Sequence, residues 1–387
     1  MLDRNNYFNN IYKTKNINKI NKIFKILKSD IKNFKIPPLQ SFEKNYDFDF
    51  NIKTIRNFSK YKNIVIIGMG GSILGTKAIY NFFKNKIKKN IFFFDNLDKE
   101  LHTSYKKNIN PKKTCFIVIS KSGNTLETLT NLNLVFSKKL LKSKLVIISE
   151  IKDSNLMNIA DKYRAEVIEH KDFIGGRYSV MSEACMFPAA LMNLKVNKFK
   201  NLNGLLNKKN FVSTLLNNVS SIKNLNQKGF KNSIILNYDS GLEDLCLWYQ
   251  QLVGESLGKK GKGIMPTIST CPKDHHSLLQ LYLDGPKDKF FTFLSRSSKK
   301  NKLKSIIDAQ CKATMNVFKK KKIPFRHFVF KKNNEIELGS IFTFFVLETI
   351  LLAKLMNINP YDQPAVEQIK IETKKILSKF KFSKKYF

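Results

Sequence analysis

The alternation of short β-rich runs with helical patterns is the feature that most restricts how this chain can fold. The first round has strand-like segments at Ile64–Ile67, Ile91–Phe94, Phe116–Ile119, Leu145–Ile148 and Val167–Glu169. The second round has them at Ile234–Asn237, Pro266–Ser269, Phe290–Leu294 and Phe325–Phe330. Strands that alternate with helices form parallel sheets covered by helices on both faces. We therefore predict an α/β protein with two doubly wound domains and mainly parallel sheets.

Helical patterns fill the remaining segments. They are predicted at Leu74–Phe83, Thr125–Leu141, Asn155–Tyr163, Gly241–Glu255, His276–Leu283, Asn301–Phe318 and Ile336–Met356. With 387 residues the chain is long enough for two hydrophobic cores. We predict an N-terminal helical extension over 1–60, a first α/β domain over 61–195, a helical connection over 196–227, a second α/β domain over 228–356 and a C-terminal helical arm over 357–387.

The net charge of +39 would suit a nucleic-acid or membrane partner, but its distribution argues against one. The charge comes almost entirely from lysines dispersed along the whole chain, and there are only six arginines. Lys replaces Arg freely at the surface but not where a planar guanidinium is needed. We interpret the excess as compositional drift and expect neither a specific nucleic-acid partner nor a membrane. The charge should still speed encounters with anionic substrates.

Three features indicate a cytoplasmic protein. The five cysteines are widely spaced, odd in number and without CxxC pairs, which is typical of reduced core residues. The first thirty residues contain no apolar segment of the kind found in secretory signals. The longest apolar run, Gly339–Leu355, is interrupted by Glu348 and Lys354, so it predicts a buried core helix rather than a membrane span.

The segment after the third predicted strand has the features of a phosphate-binding loop. Ser120 to Thr125 supplies three hydroxyl groups and a glycine before a helical pattern begins at Leu126. The N-terminus of a helix offers unpaired N–H groups and the positive end of the helix dipole, which together hold phosphate. An ordinary strand-to-helix turn with an N-cap is the alternative reading.

Two glycine-containing loops follow other predicted strands. Gly68–Gly75 comes directly after the first, where its glycines would let a sugar approach the backbone and Ser72 could donate a hydrogen bond to it. A dinucleotide site stays open as an alternative, although the full spacing is not met. Gly175 to Ser179 contains Arg177, one of the few arginines, which suggests a need for guanidinium geometry. A structural Arg paired with a carboxylate is the alternative.

Two further positions carry acid–base groups. Gln251 and Glu255 are four residues apart and share one face of a predicted helix near its C-terminus, where the helix dipole favours protonation of a carboxylate. A general base at neutral pH has this property, although an isolated Glu is more often a solvated surface residue. Asp274, His275 and His276 open another predicted helix, and an isolated histidine pair more often has a structural or capping role than a catalytic one. Adjacent histidines point apart and no third ligand has suitable spacing, so we predict no metal site there.

Taken together and in order, these segments resemble the phosphoglucose isomerase family. The motifs that match are Gly68–Gly75, Ser120–Thr128, Gly175–Ser179, Gln251–Lys259, His276–Gln280 and Gln363–Lys370. The resemblance implies two sugar-isomerase domains and the reversible isomerisation of glucose 6-phosphate to fructose 6-phosphate, a step of glycolysis and gluconeogenesis. It implies no cofactor and no metal.

The resemblance also implies roles for individual residues. The substrate- and phosphate-binding positions are Gly71, Ser72, Ser120, Lys121, Ser122, Thr125, Gly176, Gln251 and Gln363. The catalytic positions are Glu255 as the base, Arg177 at the developing negative charge, and His276 with Lys370 for ring opening. Because the family's ring-opening histidine reaches the site from the partner subunit, we expect a homodimer. Asn124 stands where Thr is common in the family, and its amide could still face a phosphate.

Two alternatives remain at this stage. Sugar-isomerase domains also occur in non-catalytic regulators that sense phosphosugars and bind DNA. No helix-turn-helix with clustered basic side chains is evident here, and a sensor needs no base at Glu255. A bifunctional isomerase that also accepts mannose 6-phosphate is not distinguished by these motifs.

Overall fold

The computed structural model describes residues 7–8, 17–108, 110–135, 144–297, 299 and 301–379. Its helices are α1 (Ile17–Lys32), α2 (Ile52–Ser59), α3 (Gly71–Phe83), α4 (Lys99–Asn108), α5 (Leu126–Val135), α6 (Asn155–Tyr163), α7 (Glu183–Leu191), α8 (Leu202–Leu206), α9 (Lys209–Gln227), α10 (Glu243–Leu257), α11 (Leu279–Asp284), α12 (Lys302–Lys320), α13 (Glu335–Met356) and α14 (Ala365–Ser378). The last part of the predicted helix Thr125–Leu141 and the ends of both predicted extensions lie outside the described residues.

One sheet has five parallel strands in the spatial order β2-β1-β3-β4-β5. They are β1 (Asn63–Gly68), β2 (Asn90–Phe94), β3 (Thr114–Ile119), β4 (Lys144–Ser149) and β5 (Glu166–Glu169). Every residue of β1 and β3 is buried, as expected for continuous apolar strands covered on both faces. The strand order places β1 and β3 side by side, so the loops that follow them leave the same edge of the sheet.

The other sheet has four parallel strands in the order β7-β6-β8-β9. They are β6 (Asn232–Asn237), β7 (Met265–Thr270), β8 (Lys289–Arg296) and β9 (Phe325–Phe330). The nine strands read from the sequence are therefore confirmed to within two residues at either end. The predicted α/β class with two parallel sheets is also confirmed.

The chain forms two compact units, each built around one sheet. The five-stranded unit comprises residues 47–77, 85–194 and 361–387, and the four-stranded unit comprises residues 1–46, 78–84 and 195–360. Apolar side chains from β1, β3 and β4 form a core with α5 and α6 in the first unit. In the second, Phe291, Phe293 and Phe325 pack with Phe318 of α12.

Helix α13 is the most apolar helix of the described chain. This 22-residue helix contains an 18-residue stretch with a mean hydropathy of 1.9, so it is long and apolar enough to cross a bilayer. However, 89% of that stretch is buried inside the protein. Both Glu348 and its partner Arg326 on β9 are fully buried. The prediction of a core helix over Gly339–Leu355 therefore holds. The five cysteines are all free and buried, as predicted.

Candidate active site

The loop after β3 has the shape expected of a phosphate-binding loop. Ser120 and Thr125 face each other across it, with 2.9 Å between their hydroxyl oxygens. The hydroxyl of Ser122 is exposed and accepts a hydrogen bond from the backbone N–H of Asn124 at 3.3 Å. Helix α5 begins one residue after Thr125. The first N–H groups of a helix have no partner within it, so donors and hydroxyls gather at this point.

Gly123 allows this loop to pack against the start of α6. Its φ of +69° lies in the left-handed region, and a Cβ there would meet the hydroxyl oxygen of Ser154 at 2.3 Å. Ser154 caps α6 by accepting from the N–H of Met157. The side-chain oxygen of Asn124 accepts from the N–H of Asn155 at 2.9 Å, so this part of the amide faces α6. The loop is thus held by the neighbouring helix.

Lys121 extends from the loop toward the segment after β5. Its amine donates to the backbone oxygen of Asp172 and lies 3.6 Å from a carboxylate oxygen of Glu150. His170 follows β5 and is 1% exposed; its Nδ1–H donates to the backbone oxygen of Lys171. Burial lowers the pKa of His170 to about 4, so it is neutral at physiological pH. No sequence pattern singles out this histidine.

The two glycine loops of the five-stranded unit touch each other through their backbones. A Cβ on Gly71 would lie 2.1 Å from the carbonyl carbon of Gly176. With a larger residue at position 71, the two loops could not approach each other this closely. The hydroxyl of Ser179 donates toward the backbone oxygens of Gly71 and Gly176, at 3.1 and 2.7 Å. Ser72 is buried in the first turn of α3. The glycines of the first loop therefore serve a contact between loops.

Arg177 is 2% exposed, and its guanidinium contacts the segment that precedes α14. Its Nη1 donates to the side-chain oxygen of Gln363 at 2.6 Å, and its Nη2 donates to the backbone oxygen of Asp362 at 2.9 Å. The structure thus joins two positions that the sequence placed 186 residues apart. The two hydrogen bonds fix the orientation of the planar guanidinium.

Gln251 and Glu255 lie on one face of α10, as their spacing predicted. The amide nitrogen of Gln251 donates to Oε1 of Glu255 at 2.9 Å. The side-chain oxygen of Gln251 is buried and has no donor among the described residues, so it can accept a hydrogen bond from a ligand. The pair therefore presents a carboxylate of fixed orientation beside a free acceptor.

His276 ends a 3₁₀ turn, Lys273–His276, and does not open a helix as predicted; α11 begins three residues later. The reason is that Asp274 turns back toward β7 and accepts from the N–H of Thr270 at 2.7 Å and the hydroxyl of Ser269 at 3.0 Å. His276 is exposed, whereas Nε2 of His275 lies 2.7 Å from the hydroxyl oxygen of the buried Tyr238.

Lys370 lies on α14 and is 60% exposed. Its amine pairs with Glu367 at 2.6 Å, one turn earlier on the same helix. No residue of α14 is buried, and the exposed apolar residues of this helix include Val366, Ile369 and Ile376. Among the described residues no cluster of three His, Cys, Asp or Glu side chains could hold a metal ion.

The structure thus groups most predicted positions into small constellations. In the five-stranded unit, these are Ser120 with Thr125, and Arg177 with Gln363. In the four-stranded unit, Gln251 pairs with Glu255. The sequence patterns did not single out Ser179, His170 or Tyr238. The hydroxyl of Tyr238 lies close to His275 and Thr314, which are 37 and 76 residues away in the chain. Only the position of Tyr238 directly after a strand could have drawn attention to it.

Comparison with known proteins points to one family. A family model described as phosphoglucose isomerase matches residues 48–276. A glucose-6-phosphate isomerase of Methanocaldococcus jannaschii is 34% identical over 351 residues, covering 84% of this chain and 86% of that protein. The glucose-6-phosphate isomerase of Campylobacter jejuni is 28% identical, covering 85% of this chain and 89% of its own.

Solved structures support the fold. A glucose-6-phosphate isomerase from Chlamydia trachomatis superposes with a TM-score of 0.70 at 21% identity, covering 85% of this chain and 73% of that one. A hypothetical protein from Thermus thermophilus gives a TM-score of 0.74 at 22% identity, covering 84% of this chain and 87% of that one. At these identities the likeness concerns the fold alone.

Proposed function

Because the chain belongs to the phosphoglucose isomerase family, we propose that it interconverts glucose 6-phosphate and fructose 6-phosphate through ring opening and a cis-enediolate. The observation that carries this proposal is the Gln251–Glu255 pair, a carboxylate held by its neighbour within the range that matches the family. The reaction is a step of glycolysis and gluconeogenesis, and we place the enzyme in the cytoplasm.

The loop after β3 is proposed to hold the substrate's phosphate. Ser120, Ser122 and Thr125 supply hydroxyl donors, and the start of α5 adds N–H groups and the positive end of its dipole. Lys121 adds charge within the same loop. A phosphate held at C6 leaves the other end of the sugar free to meet the catalytic groups.

Glu255 is proposed to move the proton between C2 and C1. The carboxylate takes the C2 proton, the electrons of that bond form the C1–C2 double bond, and the carbonyl electrons at C1 pass to O1. The same group then returns the proton to C1 while the hydroxyl proton of O2 passes to O1 and the C2 carbonyl forms. The free oxygen of Gln251 can accept from a sugar hydroxyl and fix the sugar relative to this carboxylate. General acid–base catalysis of this kind contributes roughly 10²- to 10⁴-fold.

Arg177 is proposed to stabilise the negative oxygen of the enediolate. Its guanidinium is positioned beforehand by Gln363 and by the backbone of Asp362. Charge held in place before the reaction needs no reorganisation when the transition state forms. The close backbone contact between Gly71 and Gly176 supports a role for both, with Ser72, in contacting the sugar.

His276 and Lys370 are proposed to open the sugar ring by moving a proton between O1 and O5, with His276 contributed by the partner subunit of a homodimer. The exposure of His276 and the unburied α14 are compatible with such an arrangement. Mixing a His276→Ala chain with a Glu255→Gln chain should restore activity if each mixed dimer contains one intact site. Absence of restored activity in proven mixed dimers would contradict the shared site.

The function is tested by a coupled assay with glucose 6-phosphate and with mannose 6-phosphate. Glu255→Gln should lower kcat by about 10²-fold or more while substrate still binds. The matched control is Glu243→Gln, an exposed carboxylate at the other end of α10, which should keep wild-type activity. A wild-type chain that binds phosphosugar but turns over neither substrate would favour a sensor. Full turnover by the Glu255→Gln variant would show that Glu255 is not the catalytic base.

A further inference from the structure

A chain of hydrogen bonds leads from the His276 segment into the core of the four-stranded unit. Tyr238, which directly follows β6, has its hydroxyl oxygen 2.7 Å from Nε2 of His275 and 3.1 Å from the hydroxyl of Thr314. Thr314 lies on α12 and in turn donates to the backbone oxygen of Gln310 at 2.8 Å. Tyr238 is 3% exposed, and its ring stacks on Phe293 of β8.

The last acceptor determines which group donates in each of these hydrogen bonds. A carbonyl oxygen can only accept, so the hydroxyl proton of Thr314 is used on Gln310. Tyr238 must then donate its own single proton to Thr314. The tyrosine oxygen is left as an acceptor, and Nε2 of His275 must donate to it. Burial raises the pKa of Tyr238 and lowers that of His275, so both stay neutral near pH 7.

The turn is held on a second side by Asp274. Its carboxylate accepts from Ser269 and Thr270 at the end of β7, and from the hydroxyl of Ser277 at 3.3 Å. Successive residues of a 3₁₀ turn point about 120° apart. Fixing Asp274 and His275 therefore also fixes the direction in which the Cα–Cβ bond of His276 leaves the turn.

We propose that Tyr238 and His275 are positioning residues that hold His276 in the orientation needed for ring opening. This inference rests on the proposed isomerase function and adds to it the group that aims its ring-opening histidine. Neither residue needs to touch the sugar. Without the hydroxyl of Tyr238, His275 loses its acceptor and the turn keeps only its Asp274 side.

The test is Tyr238→Phe, which removes the hydroxyl and keeps the ring that packs on Phe293. We expect kcat with glucose 6-phosphate to fall about 10- to 100-fold with KM within about twofold, because small misplacement of a catalytic group is costly. Interconversion of the glucose 6-phosphate anomers, followed by NMR exchange, should slow by a similar factor, since it requires ring opening but no proton transfer at C2. Ser295→Ala is the matched control, because it removes a buried hydroxyl–imidazole hydrogen bond of 2.8 Å to His327 in the same sheet. It should lower stability without slowing anomer exchange.

His275 provides a second test that does not depend on Tyr238→Phe folding. His275→Gln places an amide donor at about the reach of Nε2 and should keep most of the activity, whereas His275→Ala should lose as much as Tyr238→Phe. Equal activity of the Gln and Ala variants, or anomer exchange at the wild-type rate in a folded Tyr238→Phe, would overturn the inference. A wild-type chain that does not isomerise would instead overturn the proposed function.

Discussion

Gly123 combines two separate demands on one residue. Its positive φ excludes most side chains, and the hydroxyl of Ser154 occupies the space where a Cβ would stand. A change there must therefore move the loop after β3, which is proposed to bind phosphate, away from α6. The loss of stability on substituting Gly123 therefore depends on the packing around the loop as well as on the backbone angle of this residue.

We predict that Gly123→Ala lowers the unfolding free energy by about 1–3 kcal/mol and raises KM for glucose 6-phosphate. Urea unfolding and steady-state kinetics measure the two effects. Gly229→Ala is the control, because Gly229 also has a positive φ of +91° but nothing lies within 4 Å of its Cβ position. Gly229→Ala should lose stability with an unchanged KM. A rise in its KM equal to that of Gly123→Ala would contradict the proposed phosphate-binding role of the loop after β3.

His170 makes stability depend on pH. Its pKa is about 4 in the folded protein against an ordinary value of 6.5, so the unfolded chain binds a proton more readily. This stability is fully present above about pH 6.5 and is lost as the pH falls toward 4, by up to about 3 kcal/mol. His170→Asn keeps a donor toward the backbone oxygen of Lys171 and cannot titrate. Urea unfolding between pH 7 and 4.5 should show a smaller loss for this variant, and parallel curves would contradict the assignment.

At the residue scale, local sequence patterns are a strong guide where the partners are close in the chain. Such patterns were enough to place Gln251 beside Glu255 on one helix face. They were also enough to place the hydroxyls of Ser120 and Thr125 in one loop. The hydrogen bond between Arg177 and Gln363 was not predictable from spacing, although both residues were singled out. Tyr238 was missed because its meaning comes from Thr314, 76 residues away. The catalytic roles stay predictions.

Among the elements, β9 and α13 are joined by a buried ion pair. Arg326 and Glu348 are 0% and 1% exposed and form a two-bond contact, with Nη2 to Oε2 at 3.0 Å. The Nε of Arg326 also donates to Thr292 on β8 at 2.9 Å. Desolvation of both charges is costly and offsets much of their attraction, so breaking the pair by removing one partner is far more destabilising than replacing both.

We predict that Glu348→Gln lowers the unfolding free energy by about 3–5 kcal/mol, since it leaves a buried guanidinium without its carboxylate. Chemical denaturation measures this loss. Glu372→Gln, which breaks the exposed pair with Lys375, should change it by less than about 1 kcal/mol. The double change Arg326→Met with Glu348→Leu should regain part of the loss; a loss at least as large in the double variant would contradict this account.

The elements themselves were largely predictable because the strands have continuous apolar patterns and the helices between them are amphipathic. The predicted start of the helix near His276 was wrong because a tertiary contact between Asp274 and the end of β7 overrides the local pattern. Helical propensity does not reveal such a contact. The contiguous domains over 61–195 and 228–356 stay a prediction.

For the whole molecule, α14 indicates how two copies could associate. Val366, Ile369 and Ile376 lie on one side of this helix, and all three are exposed. A short helix with no buried face is marginally stable alone in water. We propose that a second copy of the chain covers this side of the helix in the homodimer proposed above.

We predict that Ile369→Asp weakens the dimer by at least about tenfold in Kd, because a carboxylate would be buried in an apolar contact. Sedimentation over a concentration series measures this. The control is Ile371→Asp, which changes an exposed isoleucine on the opposite side of the same helix and should leave Kd near wild type. Equal effects of the two changes, or a wild-type monomer, would contradict the proposal.

The order of segments within the four-stranded unit has a consequence during protein synthesis. Helix α1 buries Ile20, Phe24, Leu27 and Ile31 and packs against α9 and α13. These partners leave the ribosome only after the whole of the five-stranded sheet has been made. At usual elongation rates the apolar stripe of α1 waits roughly 10–40 s for its first partner. During that interval the nascent chain presents an apolar helix face that ribosome-associated chaperones could bind, and slower translation of residues 33–208 would lengthen its exposure to aggregation.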